Sequence, residues 1–215
     1  MRSLKIDLVI DVGANQGQFG LELRRGGYLG RIVSIEPLEA PFRRLSQSAA
    51  REEPWSVVRS AVGQHAGTAT MHVAANGGAS SSFLAMLDAH AESAPDAQYV
   101  ADEPVDVATL DDLVEPHLGD AASVFTKIDV QGFELHVLAG ADATLARSTM
   151  VQIEMSLVPL YEAAPAYRQI LDCMEELGFF LVGVEPGFAS GTGVLLQADG
   201  LFARAASTRS LQIGL

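Results

Sequence analysis

Apolar runs and helically spaced apolar positions alternate along almost the whole chain. Residues 8–12 (Leu-Val-Ile-Asp-Val) form a run too continuous for a half-exposed strand and too short for a helix, so a buried strand is expected there. A helix is expected over 18–25, a second strand over 32–36, and a second helix over 38–51 with Phe42, Leu45 and Ala49 on one face. A third strand is expected at 56–60, closed by Val62 and Gly63, and the alternating stretch 67–73 adds an extra strand. Residues 75–82, rich in Gly and Ser, read as a loop. The acidic, Ala-rich stretch 85–102 has no clear period. Further strands follow at 124–130, 151–155, 179–184 and 193–204. One helix is expected through Phe133, Val137, Ala141 and Leu145, and another over 166–177 with Gly178 as its stop. Alternation of this kind predicts an α/β fold with a mostly parallel, seven-stranded sheet and helices on both faces.

Composition narrows the class. At 215 residues and 48% hydrophobic, the chain fits one globular domain with a sizeable core, and no repeat or linker divides it. A single domain over 1–215 is expected, with 75–103 as a candidate lid or acceptor-binding insertion. The net charge of −13 argues against a nucleic-acid partner, whose phosphates would be repelled. No apolar run reaches the roughly 18 residues needed to span a bilayer, and the first residues lack a signal-peptide pattern, so a cytoplasmic location is the expectation. Cys173 is the only cysteine, which excludes an intrachain disulfide, and its apolar neighbours Ile170, Leu171, Met174 and Leu177 place it in a core.

The first strand runs into Asp11-Val12-Gly13-Ala14-Asn15-Gln16-Gly17, and the second ends in Glu36-Pro37. A strand, a glycine-bearing turn, a helix and a second strand ending in an acid is the arrangement by which α/β proteins hold a nucleoside, the acid accepting ribose hydroxyls. The turn lacks the three glycines of a dinucleotide loop. It also lacks the Lys-Ser/Thr of a P-loop, since Gln18 and Phe19 follow Gly17. Asp11 at the strand end disfavours a phosphate and suits a cation. S-adenosyl-L-methionine, with a sulfonium, an amine, a ribose and no phosphate, meets these conditions.

Ligands of open α/β sheets gather at the carboxyl ends of strands. That rule selects Asp11, Glu36, Ser60, Asp129 and Glu154, four of them acids. Carboxylates gathered at one sheet edge repel one another unless a cation or hydrogen-bond donors satisfy them.

The chain resembles the FkbM-type methyltransferases. Residues 9–17 (Val-Ile-Asp-Val-Gly-Ala-Asn-Gln-Gly) are similar to the family's first motif and Ile35-Glu36-Pro37 to its second. The most specific match is Lys127-Ile128-Asp129-Val130-Gln131-Gly132-Phe133-Glu134, continued by residues 137–141. Residues 152–156, Pro159-Leu160-Tyr161 and the late Gly187, Phe188, Gly193, Gln197, Asp199 and Phe202 also fit. Many members carry Glu where this chain has Gln131, and many carry helices ahead of the first motif, whereas this sequence reaches its first strand almost at Met1. The resemblance implies a Rossmann-like class I methyltransferase sheet with its last strand antiparallel. It also implies O-methylation of a hydroxyl on a sugar, glycolipid or secondary metabolite.

On this reading Glu36 accepts the ribose hydroxyls, with Pro37 beside it. Gly13, Asn15 and Gly17 border the methionine and ribose portions. Asp11 supports the loop, and Ser60, Ala61 and Val62 line the adenine. Asp129 is the residue nearest the chemistry, as general base or as partner of the cofactor's amine, and Glu154 is the second candidate base. The plain alternative for Glu154 is a salt bridge to Lys127. A divalent cation shared by Asp129 and Glu154 is conceivable, but no spacing demands one and no metal ligand is assigned; the five histidines show no ligand spacing. Tyr161, Phe188 and Ser80 to Ser82 are candidate acceptor contacts. Two other functions fit the same pattern less well: a non-catalytic nucleoside-binding protein, and a dinucleotide-dependent oxidoreductase.

Overall fold

The structure is a computed structural model and describes residues 5–204; the two ends of the expected 1–215 domain, 1–4 and 205–215, lie outside the described residues. The elements in chain order are β1 (Leu8–Val12), α1 (Gln18–Arg25), β2 (Arg31–Ile35), α2 (Glu39–Ala49), β3 (Trp55–Val58), β4 (Ala61–Val62), β5 (Gly67–Ala74) and α3 (Asp88–Ser93). They continue with β6 (Tyr99–Ala108), α4 (Leu110–Leu118), β7 (Val124–Ile128), α5 (Glu134–Leu138), α6 (Asp142–Arg147), β8 (Ser148–Ser156), α7 (Tyr167–Glu176), β9 (Phe179–Pro186) and β10 (Gln197–Arg204).

Seven strands form the main sheet in the order β3-β2-β1-β7-β8-β10-β9. Its first five strands run parallel to one another, and β10 runs antiparallel to both β8 and β9. This is the Rossmann-like sheet expected of the chain, with the last strand reversed. β1 and β7 are buried at all five positions, as strands covered on both faces must be, which is why they read as continuous apolar runs. One face packs α1 and α2 over Val9, Ile32 and Phe125. The other packs α4 to α7 over Leu8, Ile10, Val124 and Ile153. No helix among the described residues is long and apolar enough to cross a membrane.

A second, three-stranded sheet, β4-β6-β5, was only partly foreseen. The third strand expected at 56–60 ends at Val58, and Ala61 and Val62 leave the main sheet to pair in parallel with Val107 and Ala108. The acidic stretch 85–102 becomes α3, a turn of 3-10 helix at Pro95–Ala97, and the first part of β6, which pairs antiparallel with β5. β6 is buried only at Val105 and carries Pro104 within it, so no apolar alternation marks it.

The helix expected through 133–145 is two helices. Gly140 sits so close to β4 that a Cβ there would stand 2.4 Å from the Gly63 carbonyl oxygen, and the chain breaks at this contact. Asp111 then caps α6 from outside, accepting the N–H groups of Ala143 at 2.9 Å and Thr144 at 2.7 Å. The helix α4 was not expected. Its start is written in Thr109, whose hydroxyl accepts the Asp112 N–H at 3.1 Å, with Asp111 and Asp112 in the first turn.

Candidate functional site

The carboxyl ends of β1, β2 and β7 open into a cavity of about 670 Å³ roofed on one side by the loop after β5. The first turn builds its floor. Gly13 has φ +78° and lies against the end of β7, where a Cβ would meet the Asp129 carbonyl oxygen at 1.8 Å, so only glycine fits. Asn15, also left-handed at φ +47°, uses its side-chain oxygen to accept Gln16 N–H and Gln18 Nε2 and its amide to donate to the Gly77 carbonyl at 3.1 Å. Gln16 donates to the same carbonyl at 3.2 Å, so two residues of the first turn tie it to the roof.

Glu36 follows β2, lines the cavity and is 5% exposed. Its two oxygens accept the backbone N–H groups of Asn15 and Leu38, each at 2.9 Å. Burial pushes its carboxyl up to about 7 against those two donors. A carboxylate oxygen accepts more than one hydrogen bond, so each still has capacity facing the cavity. Asp11 is fully buried and lines the same cavity. The Trp55 indole donates to Ser34 Oγ at 3.0 Å, and Ser34 donates in turn to Asp11 Oδ2 at 3.1 Å. Asp11 Oδ1 has no partner among the described residues. Burial raises its carboxyl, opposed by Lys127 and by the Ser34 bond.

Asp129, just past β7, is held from both sides. Lys127 Nζ donates to Oδ2 at 3.0 Å, and Gln131 Nε2 donates to Oδ1 at 2.9 Å. Burial pulls the Lys127 ammonium down, but Asp129 and Asp11 outweigh it and hold it above its usual range. Gln131 has φ +55°, and the same amide also donates to Glu154 Oε2 at 2.8 Å, while its carbonyl accepts the Tyr161 hydroxyl at 2.7 Å. Its amide nitrogen therefore stands between the two carboxylates.

Of the residues expected from sequence, Asp11, Gly13, Asn15, Glu36, Pro37, Ser60, Ala61, Val62 and Asp129 all line this one cavity. Two do not. Gly17 caps α1 with φ +89° and faces Leu45 and Trp55, so its glycine answers to the turn and to packing. Glu154 is not part of the cavity lining; it accepts the Gln131 and Gln197 amides at 2.8 and 2.6 Å. The Lys127–Glu154 salt bridge does not form either, because Lys127 pairs with Asp129. Burial, then Asp129 and Glu134, raise the Glu154 carboxyl well above its usual range. Ser81 lines the cavity, whereas the buried Tyr161 supports Gln131 from behind and Phe188 packs on His90 at 5.5 Å between ring centres. No group of three or more His, Cys, Asp or Glu is placed to hold a metal among the described residues.

A model of the Methyltransferase FkbM domain matches residues 11–181. The chain belongs to the FkbM methyltransferase domain family. Among solved structures, an FkbM methyltransferase from Methylobacillus flagellatus is 17% identical with a TM-score of 0.53, the match covering 92% of this chain and 43% of that one. This sequence thus spans less than half the length of that FkbM protein. Aeropyrum pernix fibrillarin, solved with natively bound S-adenosyl-L-methionine, is 9% identical over 94% of this chain and 69% of its own, with a TM-score of 0.53. Sp1610 of Streptococcus pneumoniae, solved with S-adenosyl-L-methionine, is 10% identical over 93% and 66%, also at 0.53. At these identities the likeness is one of fold. No curated protein matches the sequence.

Within this FkbM fold, several cavity residues escaped the sequence reading. Lys127 is a charge inside a strand buried at every position, a signal that was available. Phe83 and Phe133 pack 5.0 Å apart between ring centres and wall the Ser60–Val62 end. Gln152, Glu185 and Asp199 line the opposite end, brought there by β8, β9 and β10. Of these three, Gln152 and Asp199 belong to segments that carry the family resemblance, and Glu185 does not.

Proposed function

We propose that this protein is an S-adenosyl-L-methionine-dependent O-methyltransferase acting on a hydroxyl of a sugar, glycolipid or other small metabolite. The observation that carries the reading is Glu36. It is a buried carboxylate at the end of β2, oriented by the N–H of Asn15 in the first turn and facing the cavity with hydrogen-bond capacity to spare. That is the arrangement a ribose diol needs. The walls formed by Phe83, Phe133 and Val62 fit a ligand with a flat apolar part. Membership of the FkbM family supports the same reading.

The cofactor would supply an electrophilic methyl group on a sulfonium. Glu36 would hold the ribose, with Ser60, Ala61 and Val62 around the base. Asp129, fixed by Lys127 and Gln131, would orient the acceptor hydroxyl and take up its proton as the new carbon–oxygen bond forms and the carbon–sulfur bond breaks. Proton removal matters because a neutral hydroxyl is a weak nucleophile. Glu154 would act through Gln131 by keeping that amide in place.

Calorimetric titration with S-adenosylmethionine and S-adenosylhomocysteine tests the reading. Micromolar binding that is lost in Glu36→Ala supports it, and no binding by the intact chain overturns it.

A further inference from the structure

Lys127 is the one Lys, Arg or His among the described residues that line the cavity. It stands in β7, a strand buried at all five positions, and is itself 9% exposed. A buried ammonium is costly unless it is paired and hydrogen-bonded. Its Cα lies two places before Asp129, but the stem carries Nζ to Asp129 Oδ2 at 3.0 Å, so the charge is delivered to the level of the strand ends. The Phe19 ring of α1 lies with its centre 5.6 Å from Nζ and holds the ammonium over its face. An ammonium has three hydrogens to donate. Asp129 takes one, and no second hydrogen-bond partner is present among the described residues. The donors left over are available to whatever fills the cavity that Lys127 lines.

The first turn offers an anion nothing comparable. A glycine-bearing turn ahead of a helix commonly presents its backbone N–H groups to an anionic ligand. Here Gly13 and Ala14 both donate to the Ile35 carbonyl at 3.0 Å, and Gly17 donates to the Ala14 carbonyl at 2.8 Å. Asn15 donates to Glu36, and Gln16 to the Asn15 and Gln18 side chains. Every backbone N–H from Gly13 to Gly17 is thus used within the protein.

Position agrees with charge. β2, β1 and β7 are neighbours, so the strand ends that carry Glu36 and Asp129 are two strand spacings apart, about 10 Å. A ribose held at Glu36 sends the amino-acid arm of the cofactor across β1 toward β7, and that arm is long enough to reach Nζ. S-adenosyl-L-methionine carries two cationic groups, the sulfonium and the amine, and one anionic group, the carboxylate. Acids such as Glu22, Glu36 and Asp129 line the cavity for the cations. For the carboxylate there is a single cation, Lys127.

Resting on the methyltransferase reading above, we infer that Lys127 anchors the carboxylate of the cofactor, its ammonium bridging that carboxylate and Asp129 through separate hydrogens. One side chain then fixes both the far end of the cofactor and the residue assigned to the acceptor's proton, and so sets the distance between them.

Calorimetry with S-adenosylhomocysteine, its decarboxylated form and methylthioadenosine tests this without an acceptor. Methylthioadenosine keeps the nucleoside and lacks the whole amino-acid arm. If neither it nor S-adenosylhomocysteine binds the intact chain, the methyltransferase reading itself fails. Otherwise S-adenosylhomocysteine should bind at least about tenfold more tightly than the decarboxylated form, as a charge-assisted hydrogen bond warrants. The surrounding acids alone would favour the decarboxylated form, which carries a net positive charge, so the sign of the preference is informative. Lys127→Met should erase the preference and leave methylthioadenosine binding intact. Because that substitution also bares Asp129, it is repeated with Asp129→Asn, which leaves no broken ion pair and guards against a variant that fails to fold. The double variant should lack the preference too, whereas Asp129→Asn alone should keep it. No preference on the intact chain, a preference that survives Lys127→Met, or one that returns in the double variant overturns the inference.

Discussion

Gly13 and Asp129 meet backbone to backbone: a Cβ on Gly13 would stand 1.8 Å from the Asp129 carbonyl oxygen. The first turn and the end of β7 are therefore one unit, and the residue nearest the proposed chemistry inherits its position from a glycine more than a hundred places away in sequence. Gly13→Ala should add left-handed strain at φ +78° to an unavoidable clash, for a loss of about 2–5 kcal/mol. Denaturant unfolding should show the loss, with S-adenosylhomocysteine affinity falling alongside. A variant of unchanged stability would mean that the two segments do not press on each other.

Stability should fall as pH rises from about 5 to 8. Burial moves Glu36 and Glu134 from 4.5 to about 7, so the folded form holds these protons more tightly than the unfolded chain. The stabilisation is complete below pH 4.5 and is lost as pH climbs through 7, at up to about 1.4 kcal/mol per pH unit for each group. Asp11, Glu154 and Asp199 are raised as well and act in the same direction. Cofactor affinity should run the other way, because a ribose diol donates better to an ionised Glu36. Denaturation midpoints and calorimetry at pH 5, 6.5 and 8 measure both trends, and a flat or rising stability curve contradicts this account.

Asp129 and Glu154 should separate kinetically. With an acceptor that turns over, Asp129→Asn should lower kcat by about 10²–10⁴-fold, the range for a lost general base, while S-adenosylhomocysteine affinity changes little. Glu154→Gln, which keeps an oxygen for the Gln131 amide, should cost far less. Comparable losses from both would restore Glu154 to the chemistry.

Gln131→Glu exchanges the donor between two carboxylates for a third carboxylate. The variant should lose about 3 kcal/mol at pH 8 and recover much of it at pH 5, where protonation restores a donor. Equal losses at both pH values would point to shape rather than charge.

What the sequence disclosed depended on burial. β1, β2 and β7 were legible because both faces are covered and the chain could write them only in apolar residues. β6 was hidden because only Val105 in it is buried, and α5 and α6 read as one because helical spacing runs on across Gly140. The Glu36 end of the cavity came from strand-end acids, a rule that needs no side-chain direction. The same rule selected Glu154, but a strand end does not reveal that the Gln131 and Gln197 amides take up its carboxylate. A glycine that makes a turn and a glycine that borders a ligand look alike in sequence, and Gly17 shows the turn role through its φ of +89°. Gln152, Asp199 and Glu185 come together only through the β8-β10-β9 order, which has no local signature.

Asn15 and Gln16 both donate to the Gly77 carbonyl, joining the turn beside Glu36 to the loop carrying Gly78, Ala79 and Ser81. For anyone redesigning acceptor choice by exchanging that loop, the two halves of the cavity are not separate modules. A graft that shifts residue 77 releases two donors from the first turn at once, so variants selected for a new acceptor will carry altered cofactor affinity as a by-product, and libraries should vary both segments together.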